Sequence, residues 1–279
     1  MSIIIGIDVG GSTTKIVGYT DKAQLVGMLK VEAADPQTSA YGALGKFINE
    51  NKLALTDVKQ IILTGVGSAL FQKKVYGIPA STVDEFQAIG LGGLALSNKK
   101  EGLIVSLGTG TAFVRAGKQG IFHIGGSGVG GGTVLGLCNK LCGVKSFRSI
   151  VKLAEEGKLS KVDLNIGDIS PRAISHLAKD ITASNFGKME DGHTPADLAA
   201  GVLNLVFQTV GMMAVFACRN ENMNDVIVTG TLSQVPAAQK VFTLLKRMHG
   251  INFIIPPHAI YATATGAALS YLHQTGKRK

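Results

Sequence analysis

The sequence contains no tryptophan and only three cysteines, Cys138, Cys142 and Cys218. An odd, low thiol count excludes a disulfide framework, and with no leader-like start it leads us to expect a reducing cytoplasm. Aromatic residues make up 6% of the chain and are not interleaved with its scattered lysines and arginines. That argues against a nucleic-acid partner, because bases are held by stacking on aromatic side chains between cations. Acidic residues are few, 19 against 28 lysines and arginines, for a net charge of +9. Such a balance suits an anionic small ligand such as a nucleotide. The P-loop spacing G-x-x-x-x-G-K-[ST] is absent, and no G-x-G-x-x-G joins a strand to a helix near the start, so neither a P-loop nor a dehydrogenase-type nucleotide site is expected. A single uncharged stretch, 198–218, is long enough to span a bilayer. It carries Asn204, Gln208 and Thr209, lacks an aromatic belt and is flanked by Asp197 and Arg219. We therefore expect no membrane partner but a buried helix, started by Thr194, Pro195 and Asp197 and placed in a core or at a dimer seam.

Glycine is abundant, 36 of 279 residues, against a usual ~7%, and the excess sits in particular turns. The first is Ile3-Ile4-Ile5-Gly6-Ile7-Asp8-Val9-Gly10-Gly11-Ser12-Thr13-Thr14-Lys15. An apolar strand delivers a carboxylate, two glycines, three hydroxyls and a lysine. The glycines let backbone amides face an anion, and Lys15 adds a positive charge. Asp8 can hold Mg²⁺ directly or through water. Half of an ATP-phosphate cradle on a β-hairpin, or a plain glycine turn, both fit this segment alone. Leu103–Val114 repeats the same grammar around Gly108-Thr109-Gly110-Thr111, and Asp225–Thr231 is again a strand ending in small residues.

The remaining pattern predicts strands near 24–32, 60–64 and 78–83, helices over 38–51 and 85–97, hairpin strands over 103–107, 110–116 and 120–124, and a helix over 130–142. A mostly helical, more polar region over 146–193 follows, then the apolar helix (194–220), strands at 225–229 and 251–255, and helices over 233–248 and 262–273. Strands first, then alternating helices and strands, occur twice. That predicts an α/β fold with a duplicated mixed-sheet ATPase domain and a nucleotide cleft between the halves. The division falls at the short charged segment near Asn98: an N-terminal phosphate-binding and acceptor domain (1–98) and a C-terminal nucleotide-binding and dimerisation domain (99–279).

A phosphoryl acceptor needs a base. Asp84-Glu85 stands at a strand-to-helix transition, where one carboxylate can cap the helix and the other can take a proton. Thr64–Ser68 either shapes the cleft or is an ordinary turn. His123, before the glycine run 125–132, is either a donor to substrate or structural. Phe147 either stacks on a base or packs in a core. Cys138 and Cys142, one helical turn apart, read as inert thiols or as part of a metal or cluster site.

These residues resemble the type II pantothenate kinases, within the superfamily of sugar kinases and actin-like ATPases. The resemblance rests on Asp8–Lys15, Asp84-Glu85-Phe86, Leu107–Thr111, Gly125–Thr133, Thr182-Ala183-Ser184-Asn185-Phe186-Gly187 and Val228-Thr229-Gly230, and it spans essentially the whole chain. It implies a ribonuclease H-like fold and a cytoplasmic homodimer that uses ATP and Mg²⁺ to phosphorylate pantothenate, the first step of coenzyme A synthesis. It implies Glu85 as general base, with Ser106 and His123 on the substrate side. Asp8, Gly10, Gly11, Ser12, Thr13, Thr14, Lys15 and Thr109 would serve the phosphates, and Gly131, Gly132, Thr133, Val134, Leu135, Phe147 and Thr231 the nucleoside. His123 stands where the family usually has arginine, so the acceptor site has fewer donors and less positive charge. Rival classes that share the hairpins are an iron–sulfur ATPase that activates a dehydratase, an N-acetylhexosamine kinase, and a nucleotide-binding protein without transfer.

Overall fold

The computed structural model describes residues 2–32, 35–170 and 178–276. The chain forms β1 (Ile3–Val9), β2 (Thr13–Thr20), β3 (Leu25–Glu32), α1 (Pro36–Glu50), β4 (Val58–Thr64), β5 (Lys74–Val75), β6 (Ile78–Thr82) and α2 (Glu85–Ser97). It continues through β7 (Gly102–Leu107), β8 (Thr111–Gly117), β9 (Gly120–Ser127), α3 (Gly131–Cys142), α4 (Phe147–Glu155), β10 (Leu164–Asn165), α5 (Ile166–Ile169) and β11 (Thr182–Ser184). Last come α6 (Pro195–Asn220), β12 (Asp225–Thr229), α7 (Pro236–His249), β13 (Asn252–Ile254) and α8 (Ala262–Gly276).

The first sheet has strand order β3-β2-β1-β4-β6-β5 and the second β9-β8-β7-β12-β13. In each, three antiparallel strands are followed by two added in parallel. The duplication expected from the repeated grammar is therefore present strand for strand, with β5 as an extra edge on the first sheet.

All seven residues of β1 are buried because both faces of the first sheet are covered. Ile3, Ile5, Ile7 and Val9 pack with Ala40, Ala43, Leu44 and Phe47 of α1. Ile4, Val17 and Ile62 face Ala264, Ala267 and Ala268 of α8. Each fully buried isoleucine contributes about 1.5–3 kcal/mol. In the second half, Leu103, Val105, Val226 and Val228 join Val202, Val206 and Phe207 of α6 in the largest core. The other face, with Ile104, Val114 and Ile227, is covered by Ile89 of α2.

The closing helices are thus exchanged: α2 covers the second sheet and α8 covers the first. They cross where Gly92 and Gly266 face backbone; a Cβ on Gly92 would fall 1.7 Å from the Ala262 carbonyl oxygen.

Two expectations need correction. The region 146–193 is not mostly helical. Beyond α4 and the single turn of α5 it is organised by side-chain bonds to Asp163, which is fully buried. Asp163 accepts from Phe186 N at 2.9 Å, Asn185 Nδ2 at 3.3 Å and Asn204 Nδ2 at 2.7 Å. Such side-chain–backbone bonds compete with helix formation, and Phe186 takes a left-handed φ of 56°. Residues 171–177 of that region, and Lys277–Lys279 of the basic tail, lie outside the described residues. The strand expected through Val83 stops at Thr82, leaving Val83 and Asp84 to turn the chain into α2.

α6 is long and apolar enough to cross a membrane by length and composition. In the fold it is a core helix, with Asn204 bonded to Asp163 and Asp197 completing its capping box with Thr194.

Candidate active site

The first hairpin places its polar residues by strand alternation. Asp8 on β1 stands opposite Lys15 on β2. Lys15 Nζ donates to Asp8 Oδ2 at 3.1 Å, and both residues are buried. Between them Gly10 N–H bonds Thr13 O at 3.1 Å, and a Cβ on Gly10 would lie 2.9 Å from that oxygen. Gly11 and Ser12 are exposed at the tip and Thr13 is half-exposed at the base of β2, so this lip is open to an anion. Thr14 pairs with Val9 on the opposite face. It is fully buried and its hydroxyl has no partner, so its side chain is turned away from the Asp8–Lys15 pair.

Glu85 opens α2, while Asp84 is its N-cap and accepts Gln87 N–H at 3.0 Å. The sequence left the two carboxylates open; the geometry uses Asp84 for capping, and the Glu85 carboxylate has no hydrogen bond or ion pair among the described residues. Burial pushes the Glu85 carboxyl above its ordinary value, the negative charge of Asp8 pushes it further, and Lys15 partly offsets both. The same electrostatics place Glu85 within the field of the hairpin pair, whose members Asp8 and Lys15 stand far from it in sequence. A carboxylate moved toward neutrality is a better general base than an ordinary one.

The second hairpin turn, at Gly108–Gly110, is fastened to the start of α3. Gly131 N–H donates to Gly108 O at 2.9 Å and Gly132 N–H to Thr109 O at 2.8 Å. A Cβ on Gly131 would lie 2.9 Å from Gly108 O. These amides therefore bind the hairpin, and the two glycines act through close backbone approach. Thr133 Oγ1 closes the turn from β9 into α3 by donating to Gly128 O at 3.1 Å and accepting from Gly130 N–H. Val134 is fully buried and Leu135 packs against the core, so both shape the wall from behind. Ser106 lies half-buried in β7, in register with Thr229 on β12.

Phe147 and Thr231, far apart in sequence, line one cavity of about 370 Å³ with Arg148, Val151, Gln234 and Val235. It adjoins the α3 start, since Leu232 lies near Gly131. The size and the aromatic wall suit a nucleoside. Arg148 and Gln234 were missed in the sequence. The signal lay in helical spacing, because Arg148 and Val151 continue the Phe147 side of α4.

His123 is exposed on β9. Its ring stacks on Phe86 with centroids 3.8 Å apart and planes within 11°, which sets it one residue from Glu85. Gln87 Nε2 ties the same strand to α2 through Ile121 O at 3.1 Å.

The donor set fits Mg²⁺. It offers one carboxylate and several hydroxyls, all hard oxygens, and among the described residues no cage of three or more acidic, histidine or cysteine side chains. Mg²⁺ takes few protein ligands and keeps water and phosphate oxygens. Cys138 is fully buried, and burial pushes its thiol up to about 12, which favours the neutral form. Cys218 is buried too, and Cys142 alone is partly exposed.

Two sheets of one topology, with a glycine turn on the first hairpin of each, define the fold that actin-like ATPases and sugar kinases share. The likeness to solved structures agrees. The activator of 2-hydroxyisocaproyl-CoA dehydratase from Clostridium difficile, solved with bound ADPNP, superposes with a TM-score of 0.71 over 99% of this chain and 98% of that one, at 15% identity. The ROK hexokinase of Thermus thermophilus gives 0.57 over 98% and 99%, at 13% identity. At such identities the fold alone is shared. Sequence is more particular. The Fumble family model matches residues 96–247, and a type II pantothenate kinase of Bacillus cereus strain ATCC 14579 is 30% identical over 241 residues, 83% of this chain and 84% of the other. The chain belongs to the type II pantothenate kinase family.

Proposed function

We propose that this protein transfers the γ-phosphoryl group of ATP to the hydroxyl of pantothenate, giving 4′-phosphopantothenate and ADP. The observation that carries the chemistry is that Glu85, at the start of α2, lies within electrostatic reach of the Asp8–Lys15 pair. Glu85 accepts the proton of the acceptor hydroxyl as its oxygen bonds to the γ-phosphorus and the bond to the β-phosphate oxygen breaks. Lys15 and the amides of the Gly10–Ser12 turn hold the phosphate chain, and Lys15 offsets charge that develops there. Mg²⁺, when bound through Asp8, neutralises phosphate charge. The cavity at Phe147 and Thr231 holds the nucleoside, and Thr109, beside Gly132 on the second hairpin, flanks the phosphates from the other side. His123, fixed on Phe86, lines the acceptor side with Ser106.

We further propose a cytoplasmic homodimer, with no nucleic-acid or membrane partner. Its seam would be the outward face of α6, where Phe216 is exposed and Met212 and Met213 are half-buried. The division at 98/99 would separate the acceptor half from the nucleotide half.

Release of ADP from Mg²⁺ and ATP, measured with and without pantothenate, tests the function. Stimulation by pantothenate in the wild type, lost by at least about a thousandfold in Glu85→Ala with ATP affinity retained, is the expected result. ATP binding without stimulation would exclude pantothenate as the acceptor. Retained turnover in Glu85→Ala would remove Glu85 from its role.

A further inference from the structure

Thr64 ends β4 and stands in register with Asp8. It is completely buried, yet among the described residues its hydroxyl has no hydrogen-bond partner. Buried hydroxyls are almost always hydrogen-bonded, and a solitary one is destabilising. Asp8 uses Oδ2 for Lys15. Its Oδ1 faces Gly65, whose φ is 84° and whose Cβ, if it had one, would lie 2.8 Å from that oxygen. The chain thus sets an unpartnered hydroxyl beside the carboxylate and then leaves without a side chain.

The second half repeats the device. Thr229 ends β12, is buried and unpartnered, and is followed by Gly230 at φ 87°. Its register partner is Ser106, so no carboxylate stands beside it. The hydroxyl belongs to the duplicated scaffold; its placement beside a carboxylate belongs to the first half alone.

We propose that Thr64 is a positioning residue of the metal–phosphate cradle. Its hydroxyl, closed off from water, donates to the Oδ1 of Asp8 that Lys15 leaves free when Mg²⁺ binds through that carboxylate, and so orients it. This rests on the kinase reading above. Groups in the outer shell of a metal commonly alter its affinity by about 10–100-fold.

Thr64→Val keeps the shape and removes the hydroxyl; Thr64→Ser keeps the hydroxyl. ATP binding is titrated by calorimetry with and without Mg²⁺, and the melting temperature of the ligand-free protein is recorded. In Thr64→Val the ligand-free protein melts no lower than wild type, ATP affinity without metal is unchanged, and the affinity gained on adding Mg²⁺ falls by about tenfold. Thr64→Ser restores that gain. Thr229→Val, the equivalent change without a carboxylate neighbour, leaves the Mg²⁺ gain intact. If valine packs poorly, Thr64→Ala repeats the comparison. A full Mg²⁺ gain without the hydroxyl, or a marked fall in ligand-free melting temperature in both variants, overturns the proposal. A wild type whose ATP binding ignores Mg²⁺ overturns the kinase reading itself, which the variants do not address.

Discussion

Glu85 combines two opposed demands. The proposed function asks for a proton acceptor, while its burial and the charge of Asp8 resist negative charge. Its folded pKa is raised, so its contribution to stability is complete below the unfolded value and is lost as pH rises through the folded one. Once ionised, the side chain is therefore a strain on the fold. Glu85→Gln is expected to abolish turnover and yet raise the melting temperature at pH 7, with the difference shrinking toward pH 4; an unchanged or lower melting temperature across that range would show that the carboxylate is not strained. The acid limb of kcat/KM in the wild type is expected to lie above the ordinary glutamate value of ~4.3. Asp8→Asn removes a negative neighbour and should move the limb to lower pH in whatever activity remains. That Asp84-Glu85 opens a helix was legible in sequence, while the capping role of Asp84 became plain only in the structure. The electrostatic partners of Glu85 were not legible, since nothing local in either segment announces that the charge of Asp8 acts on Glu85.

Single elements were legible where one local rule dominates. α2 begins at Glu85 and α6 at Pro195, as the caps predict, and both hairpins fall on the glycine turns. Sequence failed where long-range polar bonds govern. Asp163 organises the segment around β10 and β11 from a distance, and its partners Asn185 and Asn204 lie 22 and 41 residues away. β9 departs from regular pairing between Phe113 and Val114, near His123, and its stacking on Phe86 follows no periodicity.

The start of α6 carries a testable load. Asp197 accepts Thr194 N–H at 2.8 Å and Lys158 N–H at 2.7 Å. The bond from Lys158 is the main cause that holds its carboxyl below the ordinary value, with Thr194 next. Stability from a lowered carboxyl is present above the unfolded pKa and is lost as pH falls through the folded one. Asp197→Ala is expected to destabilise the protein by about 1–2 kcal/mol at pH 7. The gap to wild type should close as pH is taken below about 4, as followed by urea unfolding. A gap that persists at low pH would assign the effect to packing.

At the scale of the whole molecule, the two halves are held by the crossing of α2 and α8. Gly92 and Gly266 permit that crossing, and a Cβ on Gly266 would fall 1.8 Å from the Ala88 carbonyl oxygen. Gly266→Val is expected to cost several kcal/mol, since backbone on both sides must move. The control Gly42→Ala, on α1 with nothing near its Cβ position, should leave the protein unchanged or slightly more stable. Equal melting temperatures for Gly266→Val and wild type would mean that the helices do not need their close approach. The repeat of two sheets was legible because the strand grammar occurs twice. The exchange of helices was not, because an apolar, small-residue helix such as 262–276 reads the same whichever sheet it covers.

That exchange orders the birth of the protein on the ribosome. The first sheet is synthesised early, but the face bearing Ile4, Val17 and Ile62 has no cover until α8, the last described element of the chain, has emerged. Until then the N-terminal half carries an exposed apolar face, and the alanines of α8 act as the latch that commits both halves together. Chains truncated shortly before Ala262 should therefore be captured by chaperones or proteases as whole molecules, rather than surviving as a folded N-terminal half.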